Sequence, residues 1–312
     1  MTPAALLQTL TATFSELGTV SVGTTSLMEC VYTDIGFNTS QVGAVIQIPI
    51  SVPVNAQVVK TTGMGYVAPT YNGYSLNQVN VTLDTQLHYG TFVPNIDQIN
   101  TDVTVRESLT TPAIAAIAEA ANGCIAAALT TTNFNINPVV STTASIVTPA
   151  QFVKGGLTTL VNRKVAGVRN PNFMSFIQHP NVNGSIIVDD AWTKAMNVGD
   201  AIAQQARLEA KVPVAFGAKI MVDQQMPATG VDPSQVFTSA YLSKYALAAA
   251  YRPVPLGDPR TTYSSYVNWK GLTIRIELSY LGKDQGWYLS VDAVMGVVPV
   301  RKEQCVIFST AQ

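Results

Sequence analysis

The sequence has few charged residues. Lys, Arg, Asp and Glu make up 12% of the 312 residues, about half of the roughly 25% usual in soluble domains. The formal net charge is −1. Phosphate contacts need a clustered excess of Lys and Arg, so the composition speaks against a dedicated nucleic-acid-binding protein, though not against a wall that encloses nucleic acid. A surface so poor in charge favours association, which indicates a subunit covered by its neighbours or, alternatively, a secreted β-rich protein.

Cysteine and histidine are also scarce. Cys30, Cys124 and Cys305 are odd in number and far apart, which predicts free thiols rather than a disulfide framework. His88 falls on the polar face of a predicted strand, and His179 precedes a proline at a predicted strand end. We interpret His88 as a solvent-exposed or interface residue and His179 as a structural residue. The N-terminus has no basic segment, so no signal peptide is predicted.

Sequence motifs that carry chemistry are missing. There is no phosphate-binding loop, dinucleotide fingerprint, nucleophile elbow or paired-histidine metal motif. Asp189 and Asp190 form a carboxylate pair in sequence, but adjacent acids ahead of a helix are far more often its N-cap and first-turn acid. We therefore predict no catalytic residues, no metal site and no cofactor, and hence a protein that is not an enzyme.

A membrane span is not predicted either. The most apolar run, Pro112 to Leu129, is rich in alanine and contains Glu119 and Asn122. A span needs about 20 strongly apolar residues, and alanine contributes little. We interpret this run as a long buried helix of a protein with no membrane partner.

Strict alternation is the strongest pattern that the sequence does contain. From 46 to 58 every even position is apolar, and from 79 to 89 the odd positions are apolar except Thr85. Alternation predicts strands with one buried face, and the Asn72-Gly73 pair between them is a strong turn signal. We predict one long antiparallel hairpin over 46–89. The apolar stripe of the first strand consists of Ile46, Ile48, Ile50, Val52 and Val54. The tip of the hairpin contains Lys60, Tyr66, Tyr71, Asn72, Gly73 and Tyr74.

Such a hairpin needs a packing partner, because two strands with one apolar face are marginally stable in water. Pro49 and Pro53 lie four residues apart, so both remove an N–H from the same side of the strand and block further strand addition there. We predict that the stripe lies on another subunit rather than on its own chain. The tyrosines of the tip are interpreted as interface anchors, with a carbohydrate-binding platform as the alternative.

The rest of the chain alternates helices and strands. A proline at the first position of a helix marks the long helix at Pro112, and a capping box with Gln151 begins a helix at Thr148. We predict another helix over 239–251. Alternation predicts a sheet strand over 272–278, and the chain is predicted to finish the same sheet at 305–308.

This order of elements resembles the major capsid proteins of tailed double-stranded DNA bacteriophages. Three stretches carry the resemblance: 79–84 running into Phe92 and the long helix, Gly217 to Ile220 through Met226-Pro227, and Tyr288 to Val300 followed by Arg301-Lys302-Glu303. The resemblance covers nearly the whole chain. It implies an α+β fold with an N-terminal arm over 1–45, an extended hairpin loop over 46–89, a peripheral domain with a spine helix over 90–145 and 256–312, and an α/β axial domain over 146–255.

The same resemblance implies a function and partners. The chain would assemble with itself as hexamers and pentamers into an icosahedral virion capsid around double-stranded DNA, in the cytoplasm of a host bacterium. Only about 45 residues precede the hairpin, so a separate scaffolding protein is expected, with a portal and a possible decoration protein. Two alternatives stay open: an encapsulin-type nanocompartment shell, which shares the fold, and a secreted β-rich hydrolase or sugar-binding protein.

Overall fold

The computed structural model describes residues 27–35, 40–51, 76–93, 103–142, 146–165, 167–193, 214–231, 235–257, 262–269, 272–281 and 286–311. The predicted hairpin tip and most of the predicted N-terminal arm lie outside these residues.

The longest helix of the described residues, α1, spans Val103–Ala128 and confirms the predicted long helix. Its predicted start at Pro112 is wrong, because the helix begins at Val103 and Pro112 lies inside it. Its buried face repeats every three to four residues, as expected for a helix that packs along one side. The residues on this face that are fully or nearly fully buried are Ala113, Ile117, Ala118, Ala121, Ile125 and Ala126. The small alanines let the helix lie close to the sheets beneath it.

A six-stranded sheet carries α1 on one face. Its strands are β1 (Tyr32–Ile35), β4 (Thr85–Val93), β11 (Leu247–Arg252), β12 (Thr262–Trp269), β13 (Leu272–Leu281) and β14 (Gly286–Pro299). They follow the order β1-β11-β14-β13-β12, and β4 pairs with β14 as well. The predicted alternation holds in β13, where Ile274, Ile276 and Leu278 are buried and the residues between Ile274 and Leu278 are half-buried.

A seven-stranded sheet forms the second layer. Its strands are β5 (Val140–Thr142), β6 (Met174–Gln178), β7 (Val214–Ala215), β8 (Ala218–Val222), β9 (Ala228–Thr229), β10 (Val236–Ser243) and β15 (Cys305–Ala311). They follow the order β5-β15-β10-β6-β8-β7, and β9 pairs with β10. The two sheets share one apolar cluster with α1, which includes Val291 from the first sheet and Ile177 and Ile307 from the second.

The helix α2 packs on this second sheet. It runs through the segments Pro149–Gln151, Phe152–Leu157 and Thr158–Asn162, of which the middle one is a π-helical turn. The capping box at Thr148 is present, as predicted. Glycines in the π-helical turn allow close packing, because a Cβ on Gly156 would lie 2.9 Å from the ring of Phe308. Two short helices, α3 (Pro180–Val188) and α4 (Asp190–Thr193), follow β6.

The predicted helix over 239–251 is wrong. These residues form the end of β10, a turn at 244–246 and β11. Nearly every residue of the two strands is buried, so the apolar run has no alternation to reveal a strand, and such a run cannot be told from a buried helix by periodicity. The turn is also where the chain passes from the second sheet to the first.

The prediction of which sheet contains the last strand is also wrong. The sequence places β15 in the sheet of 272–278, but β15 pairs with β10 over Val236↔Ala311 to Leu242↔Cys305. The two sheets therefore exchange strands across the predicted boundary at 255, because β11 joins the first sheet and β15 joins the second. β11 and β15 are each buried on both faces. The amino-acid composition therefore does not change at the predicted domain boundary.

The predicted long hairpin is confirmed only in its first part. The strands β2 (Val45–Ser51) and β3 (Leu76–Thr82) pair antiparallel, from Val45↔Thr82 to Ser51↔Leu76. The returning strand then breaks at 83–84, and β4 continues in the six-stranded sheet against β14. Thr85, the polar break in the sequence pattern, is the first residue of β4.

Candidate assembly surface

The base of the hairpin lies on the face of the six-stranded sheet that is opposite α1. Its residues form a separate apolar cluster with short side chains of β11 and β14. The buried members of this cluster, which we call the hairpin-base cluster, are Ile48, Val81, Leu83, Ala248, Ala250 and Val294. Burying a Val or Ile side chain contributes about 1.5–3 kcal/mol of stabilisation. The hairpin-base cluster therefore holds the base of the hairpin against the sheet, and this contact sets the direction in which the hairpin leaves the rest of the subunit.

Gly296 makes this contact possible. It lies on β14 opposite Ala250, and a Cβ at its position would be 2.0 Å from the carbonyl oxygen of Thr82 and 2.8 Å from its carbonyl carbon. The backbone of β3 therefore crosses β14 at a distance that only glycine permits. No signal in the sequence identifies this glycine, because its partner belongs to a distant part of the chain.

The predicted stripe of β2 has one correction. Ile48 is 3% exposed and packs within its own chain, so the expectation that the stripe avoids its own subunit is wrong at Ile48. Ile46 is half-buried against the same cluster. The physical reason is the short side chains of β11, which leave a trough that an isoleucine fills. The side chain of Ile50, and all of Val52 and Val54, lie outside the described residues, as do Lys60 and the other residues of the tip.

An open cavity of about 130 Å³ lies beside the hairpin base. Its walls come from the hairpin, from β1 and β11, and from the turns next to β11 and β14. The lining residues are Tyr32, Ile48, Pro49, Tyr245, Ala248, Val300 and Arg301. Tyr32 and Tyr245 are 40% and 44% exposed, with ring centroids 6.1 Å apart, so an aromatic rim borders the cavity.

A charged group lies on the same face of the sheet, next to the hairpin base. Asp292 on β14 is 1% exposed, and its Oδ2 accepts a hydrogen bond from Arg275 Nη2 at 2.7 Å. Its Oδ1 contacts His88 Nδ1 on β4, and Arg275 Nη1 also pairs with Glu277 at 3.0 Å. A buried carboxylate needs such partners, so this group ties β4, β14 and β13 together. The sequence indicates His88 only as a solvent-exposed or interface residue and gives no sign of its partner Asp292 on the neighbouring strand.

A second polar group joins α1 to both layers. Asn122 is 2% exposed, accepts a hydrogen bond from the backbone N–H of Leu27 at 3.1 Å and donates one to Asp223 Oδ2 at 2.7 Å. Asp223 also accepts from the N–H of Gln225 at 2.7 Å. Burial is the main reason that the pKa of Asp223 is raised, and repulsion from Glu119 adds to it. Asn122 therefore fixes the segment before β1 and the turn after β8 to one point of the spine helix.

The residues considered for catalysis have structural roles. His179 caps α3 by accepting from the N–H of Asn181 and stacks on Phe237, and burial lowers its pKa. Asp189 accepts from the N–H of Ala191 at 2.6 Å, as an N-cap does. Both agree with their predicted roles as helix-end or structural residues.

The three cysteines are free, as predicted. Cys30 and Cys305 are buried, and Cys124 is half-buried. Burial raises the pKa of Cys30 to about 11, although a hydrogen bond with Ser175 opposes the shift. Burial also raises the pKa values of Cys124 and Cys305. Thiols with raised pKa values are poor nucleophiles.

Among the described residues, no group of three or more His, Cys, Asp or Glu side chains is placed to hold a metal ion. None of the helices described is long and apolar enough to cross a membrane.

The structural comparison identifies the fold. The chain is similar to the asymmetric unit of the mature capsid of bacteriophage PhiM1, with a TM-score of 0.57 and 12% identity over 92% of this chain and 87% of that one. It is also similar to the capsid of Ralstonia phage GP4, with a TM-score of 0.56 and 11% identity over 94% and 92% of the two chains. A structure from Mycobacterium phage Che8 matches with a TM-score of 0.51 and 15% identity over 85% and 84%.

No protein-family model matches the sequence, and no curated protein matches it either. At identities of 11–15% the similarity concerns the fold. The chain has the α+β fold of tailed-phage capsid proteins, as the order of its elements predicted.

Proposed function

We propose that this chain is the major capsid protein of a tailed double-stranded DNA phage. Copies of it assemble as hexamers and pentamers into an icosahedral shell that encloses the DNA. The observation that carries the proposal is the fold along nearly the whole chain, since the alignment with a mature phage capsid covers 92% of this chain and 87% of the other. In the proposed assignment, the six-stranded sheet with α1 is the peripheral domain, and the seven-stranded sheet with α2 is the axial domain.

The chemistry of the surface supports a structural role. A formal net charge of −1 suits a wall that encloses DNA without binding it tightly, because tight binding to phosphates needs many cations. The histidine and the carboxylate that were considered for catalysis cap helices, which supports a protein that is not an enzyme. The proposed partners are other copies of the chain, a scaffolding protein, a portal and a decoration protein, with assembly in the bacterial cytoplasm.

The hairpin is the proposed inter-subunit contact. Among the described residues, β2 and β3 are fixed to the body at their base, through Ile48, Val81 and the adjoining Leu83. The stripe beyond this point, at Ile50, Val52 and Val54, is proposed to bury against a neighbouring subunit, and the tyrosines of the tip are proposed as anchors there. Because the buried side chains of the hairpin-base cluster already hold the base, a change farther along the hairpin should leave the fold of the subunit intact.

Sedimentation of two matched variants tests this contact. Ile50→Asp places an unpaired carboxylate in the proposed contact, which is strongly unfavourable, so we expect folded subunits that do not assemble. Gln47→Asp introduces the same charge on the exposed side of β2, and we expect it to assemble as the unaltered chain does. Normal assembly of Ile50→Asp would show that the stripe is not a subunit contact.

A further inference from the structure

A row of polar side chains crosses four strands of the six-stranded sheet, on the face opposite α1. Tyr266 of β12 lies opposite Arg275 of β13. Arg275 lies opposite Asp292 of β14, which in turn lies opposite His88 of β4. Directly opposed residues of neighbouring strands project to the same face. We call these four residues the polar row, and the two at its centre, Arg275 and Asp292, are joined by the hydrogen bond described above.

A segment of backbone lies on this row. It spans 253–257, directly after β11, and we call it the strap. Two of its residues are prolines, which lack the N–H groups that a strand ladder needs. Its carbonyl oxygens pair with side chains instead: Tyr266 Oη donates to Val254 at 3.1 Å, and Arg275 Nη1 donates to Pro255 at 2.7 Å. The polar row therefore holds the strap on the sheet.

Arg275 has a role here that a lysine cannot fill. Its Nη2 donates to Asp292 at 2.7 Å. Its Nη1 donates to the carbonyl of Pro255 at 2.7 Å and pairs with Glu277 at 3.0 Å. A guanidinium presents its donors in a rigid planar fork, whereas a lysine offers a single nitrogen. A lysine at this position could neutralise Asp292 but could not also hold the strap.

The strap is joined to the base of the hairpin at two points. Val254 packs against the hairpin-base cluster. The carbonyl of Pro253, which is a buried residue, accepts a hydrogen bond from the N–H of Ser40 at 3.2 Å. The segment that begins at Ser40 then forms two backbone hydrogen bonds with Leu83, at 2.6 and 2.8 Å. Because Leu83 belongs to the hairpin-base cluster, these contacts run without a break from Arg275 to the hairpin.

We propose that Arg275 is a positioning residue for the hairpin. It acts through the strap: with Pro255 held on the polar row, Val254 and Pro253 keep the hairpin base against the sheet in one orientation. Release of the strap should therefore loosen the hairpin base while the rest of the two sheets stays folded. The inference rests on the proposed function in one respect only, namely that the hairpin held in this way is the proposed inter-subunit contact.

Amide hydrogen exchange of the full chain tests this coupling. Arg275→Lys keeps a positive charge beside Asp292 and removes the fork that reaches the strap. Amides that open locally exchange independently of those that open only with the whole domain. Because a charge-assisted hydrogen bond to the strap is lost, we expect exchange about tenfold faster or more at the backbone N–H groups of the hairpin base. These are the N–H groups of Ser40, Gly43 and Leu83.

Two comparisons separate this local effect from a general loss of stability. The amides of β10 that pair with β15 are the internal reference and should exchange as they do in the unaltered chain. Arg163→Lys is the matched control, because Arg163 is exposed and its Nη2 also donates to a backbone carbonyl, that of Ile136, at 3.2 Å. Exchange at the hairpin base should stay unchanged in this control.

Tyr266→Phe tests the strap without changing a charge. It removes only the hydroxyl that donates to Val254, so the polar row keeps its charge balance and the subunit should fold. Since one hydrogen bond is lost, we expect the same amides of the hairpin base to exchange about threefold to tenfold faster. Its control is Tyr241→Phe, which removes a hydroxyl that donates to the carbonyl of Val168 and should leave the hairpin base unchanged.

Unchanged exchange at the hairpin base in both Arg275→Lys and Tyr266→Phe, or an equal acceleration in β10, would overturn the proposal. Either result would leave the proposed function standing when the unaltered chain forms shells. The expected pattern of exchange in a chain that never forms shells would support the role of Arg275 and count against the proposed function.

Discussion

Substitution of Gly296 by alanine tests the placement of the hairpin base. The added Cβ would lie 2.0 Å from the carbonyl oxygen of Thr82, whereas real contacts of this kind are essentially never below 3.0 Å. The backbone of β3 or of β14 must therefore move by about 1 Å. Because the obstacle is backbone rather than the end of a flexible side chain, rotamer changes cannot relieve the clash.

The expected cost follows from the packing of the hairpin-base cluster. Overpacking a well-packed core costs about 1–3 kcal/mol, and a shift of β3 also loosens the contacts of Val81 and Leu83 with β11 and β14. In domains of 150–250 residues, 1 kcal/mol corresponds to about 2–4 °C in melting temperature. We therefore expect Gly296→Ala to melt several degrees below the unaltered chain in scanning calorimetry.

Gly184→Ala is the matched control. Gly184 lies within α3, and a Cβ there would meet nothing within 4 Å. Replacing a glycine inside a helix by alanine stabilises by about 0.5–1 kcal/mol, so this variant should melt at or above the unaltered chain. Both substitutions remove the same freedom from the unfolded chain, so the difference between them isolates the contact at Thr82. A Gly296→Ala protein as stable as Gly184→Ala would refute the placement of the hairpin base.

Three further predictions concern burial and charge. Ile48→Asp should lower the melting temperature of the isolated subunit, because it places a carboxylate in the hairpin-base cluster,. Ile50→Asp should leave the melting temperature near normal. Equal destabilisation by both substitutions would contradict the proposal that Ile48 packs on its own chain and Ile50 on a neighbour. Burial raises the pKa of Asp223, so the folded state binds this proton more tightly than the unfolded state. The free energy of unfolding should therefore fall as the pH rises from the unfolded pKa of about 4 through the folded pKa. Asp223→Asn should reduce this fall in denaturant titrations at several pH values, and an unchanged dependence on pH would contradict the prediction. At pH 8 a thiol reagent should label Cys124 first and leave Cys30 and Cys305 unmodified until the protein unfolds, since these two are buried with raised pKa values; rapid labelling of all three would show that the core is open.

The parts of the fold that can be predicted correctly from sequence have one buried face. β2 and β13 alternate because one side of each is packed, and the period of two is visible without knowing the partner. The capping box at Thr148 is equally local, because its two hydrogen bonds join residues three apart. The order of such elements is enough to indicate the fold.

The errors lie where both faces are buried or where distant strands meet. β10 and β11 have almost no exposed residues, so their period is hidden. The partners of Asp292 come from β4 and β13, with His88 204 positions away in sequence, and only strand register brings them together. Gly296 could not be assigned for the same reason, since its importance depends on a backbone oxygen of β3.

The predicted stripe shows how the two kinds of information combine. Alternation indicates that the even residues of β2 are buried, and Ile48 is. It cannot indicate which surface buries them, because the trough of Ala248 and Ala250 belongs to a segment predicted as a helix. The assignment of the stripe to another subunit therefore fails at Ile48, which its own chain buries, and Ile46 is half-buried against the same cluster.

Electron microscopy of the purified full-length chain, over a series of salt and crowding-agent concentrations, tests self-assembly most directly. We predict closed, hollow, uniform shells with fivefold and sixfold clusters of subunits, which would also contain nuclease-protected DNA when they are isolated from infected cells. A folded chain that stays monomeric under every condition in the series, and that is also absent from the shells of particles isolated from infected cells, would contradict the proposed function. Shells that enclose a protein cargo instead of DNA would contradict the phage assignment and favour a nanocompartment.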